Sequence, residues 1–326
     1  MRVCVVGAGI VGLTAAFELA RRGATVDLFE RRAGPGEGCS FYAGGMIAPW
    51  CERESAEPIV TELGLEGLDF WTRTLPVAER HGSLVVAPPR DRPDVVRFSR
   101  RTSHFEECDQ RRIGEIEPDL ADRFPYGLFF AQEAHIEPRA AMAEIARALG
   151  SLPNATLHVS TEAPAADGYD WTLDCRGFSA REALPDLRGV KGEMLVLATD
   201  ELKISRPVRM LHPRHPVYVV PRPDGSYMIG ATMVENEEPG RVTARALMEL
   251  TGAAYTLHPA FGEAEIVETG ADVRPAFPDN LPRIRVRDRR IHINGLYRHG
   301  FLLSPALARR AADIVTKDAR FPEFDR

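Results

Sequence analysis

The sequence predicts an α/β fold: a doubly wound parallel sheet carrying an inserted α+β domain built on a mostly antiparallel sheet. Three observations predict it. Residues 3–30 spell a strand, a glycine-rich turn, a helix and a second strand, the unit from which parallel sheets are wound. From Lys191 the pattern changes to successive strands with a tight turn between two of them, as in antiparallel pairing. Near the end a strand (290–296) and a helix (305–316) return as further layers of the opening sheet, so the strand-rich middle reads as an insertion. A chain of 326 residues is long enough to bury two cores.

The opening strand, VCVV at 3–6, is β-branched and apolar, as a strand buried on both faces must be, and Cys4 belongs to its packing. It feeds into Gly7, Gly9 and Gly12 at GxGxxG spacing. Gly7 permits the tight turn, Gly9 lets the backbone approach a pyrophosphate, and Gly12 lets the next helix pack on the strand. The pyrophosphate would rest on the N–H groups at the positive end of that helix. Glu30, 18 residues beyond Gly12, ends the second strand and is placed to accept hydrogen bonds from ribose hydroxyls. An acid there disfavours a 2′-phosphate, so FAD or NAD is expected rather than NADP. This first half is Rossmann-like. Arg2 before an apolar run imitates a secretory signal, but the glycine punctuation, the amphipathic ELARRG and the lack of a small-residue cleavage site speak against one.

Residues 31–49, rich in Gly, Ala and Ser, read as a loop wrapped close to a ligand. Helical periodicity follows at 57–81 and again at 138–149, where a proline suits the helix start. Between them lie a short strand, SLVVAP at 83–88, and a Pro- and Arg-rich loop whose basic run at 97–104 reads as solvated. A strand at 192–198 precedes a hairpin across 216–232 with its turn at Pro223, Asp224 and Gly225. The order assigns 1–80, 132–190 and 268–326 to a dinucleotide-binding domain, and 81–131 and 191–267 to a substrate-binding domain. In such folds pockets form at the carboxyl ends of the parallel strands and at the domain junction.

A composition of 44% hydrophobic and 27% charged residues is that of an ordinary globular chain. A formal charge of −6 argues against a general nucleic-acid or anionic-membrane surface. The five cysteines, Cys4, Cys39, Cys51, Cys108 and Cys175, are widely separated and form no CxxC pair. No metal site or disulfide framework is expected, and a reducing cytoplasm is the natural compartment. No apolar segment reaches 18 residues, so no integral membrane span is expected.

Four separated segments carry a family resemblance: the fingerprint ending in Glu30; SFYAGGMIAP at 40–49; VYVVPRPDGSYMIGATM at 217–233; and the pair GADVRPAFPDNLPRI at 270–284 with NGLYRHGFLLSPALA at 294–308. Together they span the chain in the right order, and the carboxyl-terminal pair discriminates best. The sequence resembles the D-amino acid oxidase family of flavoproteins, most closely its glycine oxidase (ThiO) branch, which serves thiamin biosynthesis.

The resemblance implies noncovalent FAD, since no cysteine stands where sarcosine oxidases attach flavin. It implies that Arg274 pairs with a substrate carboxylate, that Tyr218 hydrogen-bonds it, and that Arg298 is a second pocket arginine beside the flavin. Independently, a planar guanidinium grips a carboxylate through two parallel bonds. Met233 and Met46 would be pocket walls, and Tyr42, Trp50 and Phe301 are either pocket narrowing or core. Ile10, Val11, Glu30 and Arg31 would meet the adenosine half of the cofactor. Cys39, Ser40, Gly44, Gly45 and Met46 would meet the pyrophosphate and ring, and Ala163 the adenine. Tyr297, Arg298, His299, Gly300, Phe301, Leu302 and Leu303 would run along the flavin and open the last helix at Ser304 and Pro305.

Three departures from the family are visible. DCRG at 174–177 stands where AAG is usual, His299 stands where an amide is usual, and the chain is short between about 150 and 190. A simple hydrogen-bonded loop histidine is the plainer reading of His299. The implied reaction oxidises an amine next to a carboxylate: hydride passes from the α-carbon to flavin, dioxygen takes the electrons and gives hydrogen peroxide, and the imine hydrolyses to a 2-oxo acid and ammonia. It needs no protein base if the amine binds or becomes neutral, so no acid or base is assigned. A D-amino acid or sarcosine-type oxidase, a flavin dehydrogenase with another acceptor and a flavin-free NAD protein are the alternatives. A homo-oligomer is left open.

Overall fold

The computed structural model describes residues 1–165, 168–214 and 216–325. Among these residues six strands form the first sheet in the order Arg283–Arg287, Arg290–Asn294, Trp171–Asp174, Arg2–Val6, Thr25–Phe29 and Ala155–His158. All neighbours are parallel except the hairpin of the first two. The opening strand is interior, with Val3 and Val5 fully buried and Cys4 in the core. The helix Ile10–Arg21 packs against both Pro138–Gly150 and Gly300–Lys317.

Among the described residues nine strands form the second sheet. Its spine is an antiparallel pair, Arg188–Ala198 with Glu265–Ala276, running from Arg188 opposite Ala276 to Ala198 opposite Glu265 with a one-residue register shift between Val196 and Leu197. The hairpin Val217–Pro221 and Ser226–Gly230 follows on the other side of Arg188–Ala198. Val208–Met210, Ser83–Val86, Tyr126–Phe130 and Glu106–Asp109 extend the sheet outward. One pair, Val208–Met210 with Ser83–Val86, is parallel and the others are antiparallel. The helices Gln110–Ile116 and Ala244–Leu257 share its core through Ile113, Leu250 and Leu257. A small ladder of Met46–Ile47 with Ala134–His135 stands apart. The α/β class expected from the sequence is therefore the observed one.

Several elements differ from expectation. The last helix begins at Gly300, ahead of Ser304, and carries Pro305 inside it. Proline removes the N–H that would bond the carbonyl of Phe301, and Trp71 Nε1 donates to that carbonyl instead, at 2.7 Å. The helix at 57–81 is shorter, Pro58–Asp69 continued by one wide turn to Thr74, because the chain then leaves to pair Glu79 with His135. The basic run at 97–104 is not wholly a solvated loop: the helix Arg92–Ser99 enters it and buries Val95 and Phe98. The strand Glu106–Asp109 and the exposed first half of Glu265–Ala276 had no clear sequence signal, being short or charged, whereas Tyr126–Phe130 is an apolar, aromatic run that the sequence reading did not assign.

Candidate active site

The site is a cavity of about 490 Å³ lined by both sheets. One end is built by the opening turn. Gly7 has φ +95, a left-handed value that glycine adopts freely, and a Cβ there would lie 2.9 Å from the carbonyl oxygen of Cys175. A Cβ on Gly12 would lie 1.8 Å from the Gly7 oxygen, which is the close helix approach that its position demands. Gly9 precedes the helix and is open, its nearest Cβ neighbour being Ser40 Oγ at 3.6 Å. Ser40 Oγ accepts the Ile10 N–H at 3.2 Å, leaving its own proton free to donate. Glu30 is fixed by the turn it faces: its carboxylate accepts from Ala8 N at 2.8 Å and Arg32 N at 2.9 Å.

The cavity lining includes Gly7, Gly9, Ile10, Val11, Glu30 and Arg31, then Cys39, Ser40, Gly44, Gly45 and Met46, with Ala163 at the Glu30 end. Gly12 and Leu303 lie outside the lining; Leu303 is fully buried in the core. Tyr42 and Phe301 reach the cavity, whereas Trp50 is buried elsewhere against His104. The departure at 174–177 brings Cys175 and Arg176 to the wall, where Arg176 makes a bidentate pair with Asp174 at 2.7 and 3.0 Å.

The other end gathers Tyr218, Met233, Arg274, Tyr297, Arg298, His299, Gly300 and Leu302. Arg274, half-buried on Glu265–Ala276, lies over Gly192, where a Cβ would come 2.1 Å from its Nη2. Its Nη1 donates to the carbonyl of Thr232 at 3.0 Å. Among the described residues no carboxylate pairs with this guanidinium. The Tyr218 ring lies across two glycines, since Cβ atoms on Gly44 and Gly230 would approach it to 2.6 and 3.0 Å. Met233 is 50% exposed at the mouth, and its sulfur accepts from Tyr297 Oη at 3.2 Å and faces Arg298 Nη1 at 3.6 Å.

Arg298 differs from Arg274 in being matched. Its Nη2 donates to Glu52 Oε2 at 2.6 Å, and Glu52 also lines the cavity. Burial alone would raise the Glu52 carboxyl, but Arg298, then His299 and Arg209, hold it at about 2. Burial disfavours the charge on Arg298, and Glu52 more than restores it. His299 is buried and lies 3.6 Å from Glu52, yet burial pushes it down to about 4, so its ring is neutral near pH 7.

Sequence reading missed Glu52, Gly192, Thr232 and Arg222. Glu52 was visible only as an acid directly after the apolar run at 46–51. Gly192 has a signal in retrospect, a glycine opening an apolar strand. Arg222 donates to the carbonyls of Ala43 and Gly44 at 3.1 Å each, clamping the loop that bears Gly45 and Met46.

The residues fit a dinucleotide. A helix amino terminus, an open glycine and a serine hydroxyl face one end, and a carboxylate suited to ribose stands beside them. Among the described residues no helix is long and apolar enough to cross a membrane. The family described as FAD dependent oxidoreductase matches residues 2–314. The chain is 52% identical over 325 residues to a Rhizobium etli protein named as a thiamine biosynthesis oxidoreductase, ThiO, covering 99% of each. It is 27% identical to the glycine oxidase of Geobacillus kaustophilus, over 97% of this chain and 93% of that one. The crystal structure of a glycine oxidase from that organism superposes with a TM-score of 0.83 at 23% identity, covering 98% of this chain and 96% of the other. The chain therefore belongs to the FAD-dependent oxidoreductases of the D-amino acid oxidase family.

Proposed function

We propose that the protein is an oxidase of a small amino acid, glycine foremost, and that it holds FAD noncovalently. The observation that carries this reading is Arg274: a cavity-facing guanidinium that no carboxylate of the described residues pairs with, at the far end of a dinucleotide groove. Its planar fork takes a substrate carboxylate through two parallel bonds, and Tyr218 Oη donates to the same group. Holding the carboxylate at two residues fixes the α-carbon against the face of the cofactor, and alignment is the main service the protein renders. FAD, when bound, would supply the acceptor for the α-hydrogen leaving as hydride and a route for the electron pair to dioxygen, which would give hydrogen peroxide. The substrate amine must be neutral for that departure, and the resulting imine hydrolyses in water to a 2-oxo acid and ammonia.

The opening turn, Ser40, Glu30 and Ala163 would hold the cofactor's dinucleotide half, while Tyr297, His299, Gly300 and Phe301 would lie beside its ring. The amino terminus of Gly300–Lys317 there favours negative charge. Arg298 is already neutralised by Glu52 at 2.6 Å. That pairing supports a substrate with one carboxylate over a dicarboxylic one. The division of the chain near 190 and 268 into cofactor and substrate parts belongs to the same reading. So does a place in thiamine biosynthesis, the process in the name of the Rhizobium etli relative, and a cytoplasmic setting.

The test is the absorption spectrum of the purified protein under anaerobic glycine. Bleaching of the flavin band, with recovery and hydrogen peroxide on admitting air, is the expected result. Bleaching that recovers only with an added dye would replace dioxygen by another acceptor. Bleaching by D-alanine, D-proline or sarcosine but not by glycine would overturn the choice of substrate.

A further inference from the structure

Behind Arg274 lies a buried ion pair to which the reaction gives no task. Lys191 and Glu193 flank Gly192 on the strand Arg188–Ala198 and are 5% and 0% exposed. Burying two charges is costly, and removing one partner leaves the other unpaired, so such a pair persists only where its geometry is fully used. Here it is used. Glu193 Oε2 accepts from the Thr232 hydroxyl at 2.9 Å, and Oε1 accepts the Thr243 N–H at 2.8 Å while facing Lys191 Nζ at 3.3 Å. Lys191 in turn donates to the carbonyl of Arg241 at 2.7 Å. The main chain of Glu193 grips the same threonine: its N–H donates to Thr232 Oγ1 at 3.0 Å, and its carbonyl accepts the Thr232 N–H at 3.2 Å.

Thr232 is thus held at its amide and its hydroxyl by one residue, and its remaining polar group, the carbonyl, accepts from Arg274 Nη1 at 3.0 Å. A guanidinium is planar, so fixing one nitrogen against a carbonyl sets the direction in which its other edge points. The same carboxylate ties residues 232 and 243, the two ends of a segment whose Met233, Glu237 and Pro239 line the cavity.

We propose that Glu193 is a positioning residue for substrate binding: through Thr232 it aims the guanidinium of Arg274 at the carboxylate. This rests on the reading of Arg274 as the carboxylate-binding residue. It is tested on the FAD-loaded enzyme with acetate, a carboxylate that has no amine to oxidise, by titration calorimetry, alongside steady-state kinetics with glycine. Thr232→Val keeps the side-chain shape and loses both hydroxyl bonds. Its expected effect is an acetate Kd and a glycine KM raised about tenfold, with kcat at saturating glycine changed no more than about threefold. Thr232→Ser restores both values to within about twofold of the parent, because the hydroxyl returns. A general structural role would instead lower FAD retention and kcat together and would not be rescued selectively by serine.

Acetate affinity in Thr232→Val equal to the parent overturns the proposal. Should Thr232→Val not fold, Thr232→Ala decides: it too lacks the hydroxyl that joins Glu193 to residue 232, so unchanged acetate affinity there overturns the proposal equally. Arg274→Met separates the two readings. Acetate binding lost in Arg274→Met but unchanged in Thr232→Val removes only the positioning role. Acetate binding unchanged in Arg274→Met removes the carboxylate reading and the proposal with it.

Discussion

Two arginines in one cavity have opposite electrostatic situations, and their difference sets the expectations at the scale of the residue. Arg274 has a backbone carbonyl on one nitrogen and, among the described residues, no acid, so its charge is available to a ligand. Arg274→Lys keeps the charge but loses the fork, and glycine KM is expected to rise about 100-fold, equivalent to about 2.7 kcal/mol, with FAD still bound. Arg298 has its charge met by Glu52, at 12% side-chain exposure for Glu52 and 22% for Arg298. Glu52→Gln releases that charge toward the cavity, and malonate inhibition is expected to strengthen at least about fivefold relative to acetate. Equal inhibition by the two acids in the variant would show that the pair does not exclude a second carboxylate. Arg274, Tyr218 and Arg298 were legible because each stands in a segment with a family counterpart. Glu52 was not, because its partner lies 246 residues away and only the fold brings them together.

At the scale of the element, two helix ends depend on groups remote in sequence. The four-residue helix Pro49–Glu52 has no side chain of its own capping it. Its N–H groups at Trp50 and Cys51 donate to one oxygen of Glu133, at 3.0 and 2.7 Å, and Glu133 is fully buried. Burial pushes the Glu133 carboxyl up to about 8, against the pull of these N–H groups. A carboxyl raised in the folded state stabilises fully below its unfolded value, about 4.3, and loses that contribution as pH rises through the folded value near 8. Melting temperature is therefore expected to fall between those limits, and Glu133→Gln, which keeps the accepting oxygen without the titration, to flatten that part of the profile. A parent profile that rises from pH 5 to 8, unaltered by the variant, would remove this group from the balance. The second case is Pro305, whose helix was legible except for its start. A proline reads as a helix beginning, and nothing nearby in sequence announces that Trp71 supplies the hydrogen bond that lets Gly300–Lys317 begin earlier. Trp71→Phe leaves the Phe301 carbonyl buried without that donor, and a loss of about 1–3 kcal/mol in chemical denaturation is expected.

For the whole molecule, the parallel sheet was legible from its glycine turn and its terminal strand and helix, since local spacing specifies both. The second sheet was legible only at its apolar strands. Glu265–Ala276 carries exposed residues over its first half, and its partner is fixed by tertiary pairing with Arg188–Ala198, not by its own pattern. The cavity lies where these two sheets meet, Gly7 and Glu30 coming from one and Tyr218 and Arg274 from the other. A ligand that touches both sheets binds only when both are formed, so its binding energy stabilises the entire chain. FAD at 100 times its dissociation constant is expected to add about 2.7 kcal/mol, moving a single unfolding transition upward as free FAD increases. Differential scanning calorimetry of the FAD-free protein across a series of FAD concentrations reads this directly. Two separate transitions, of which FAD moves only one, would mean that the sheets unfold independently and that the cofactor is held by the first alone; the approach of Arg274 and Tyr218 to the dinucleotide groove would then be a weak docking of two units. One transition that moves as a whole would mean that cofactor binding and assembly of the substrate end are a single event.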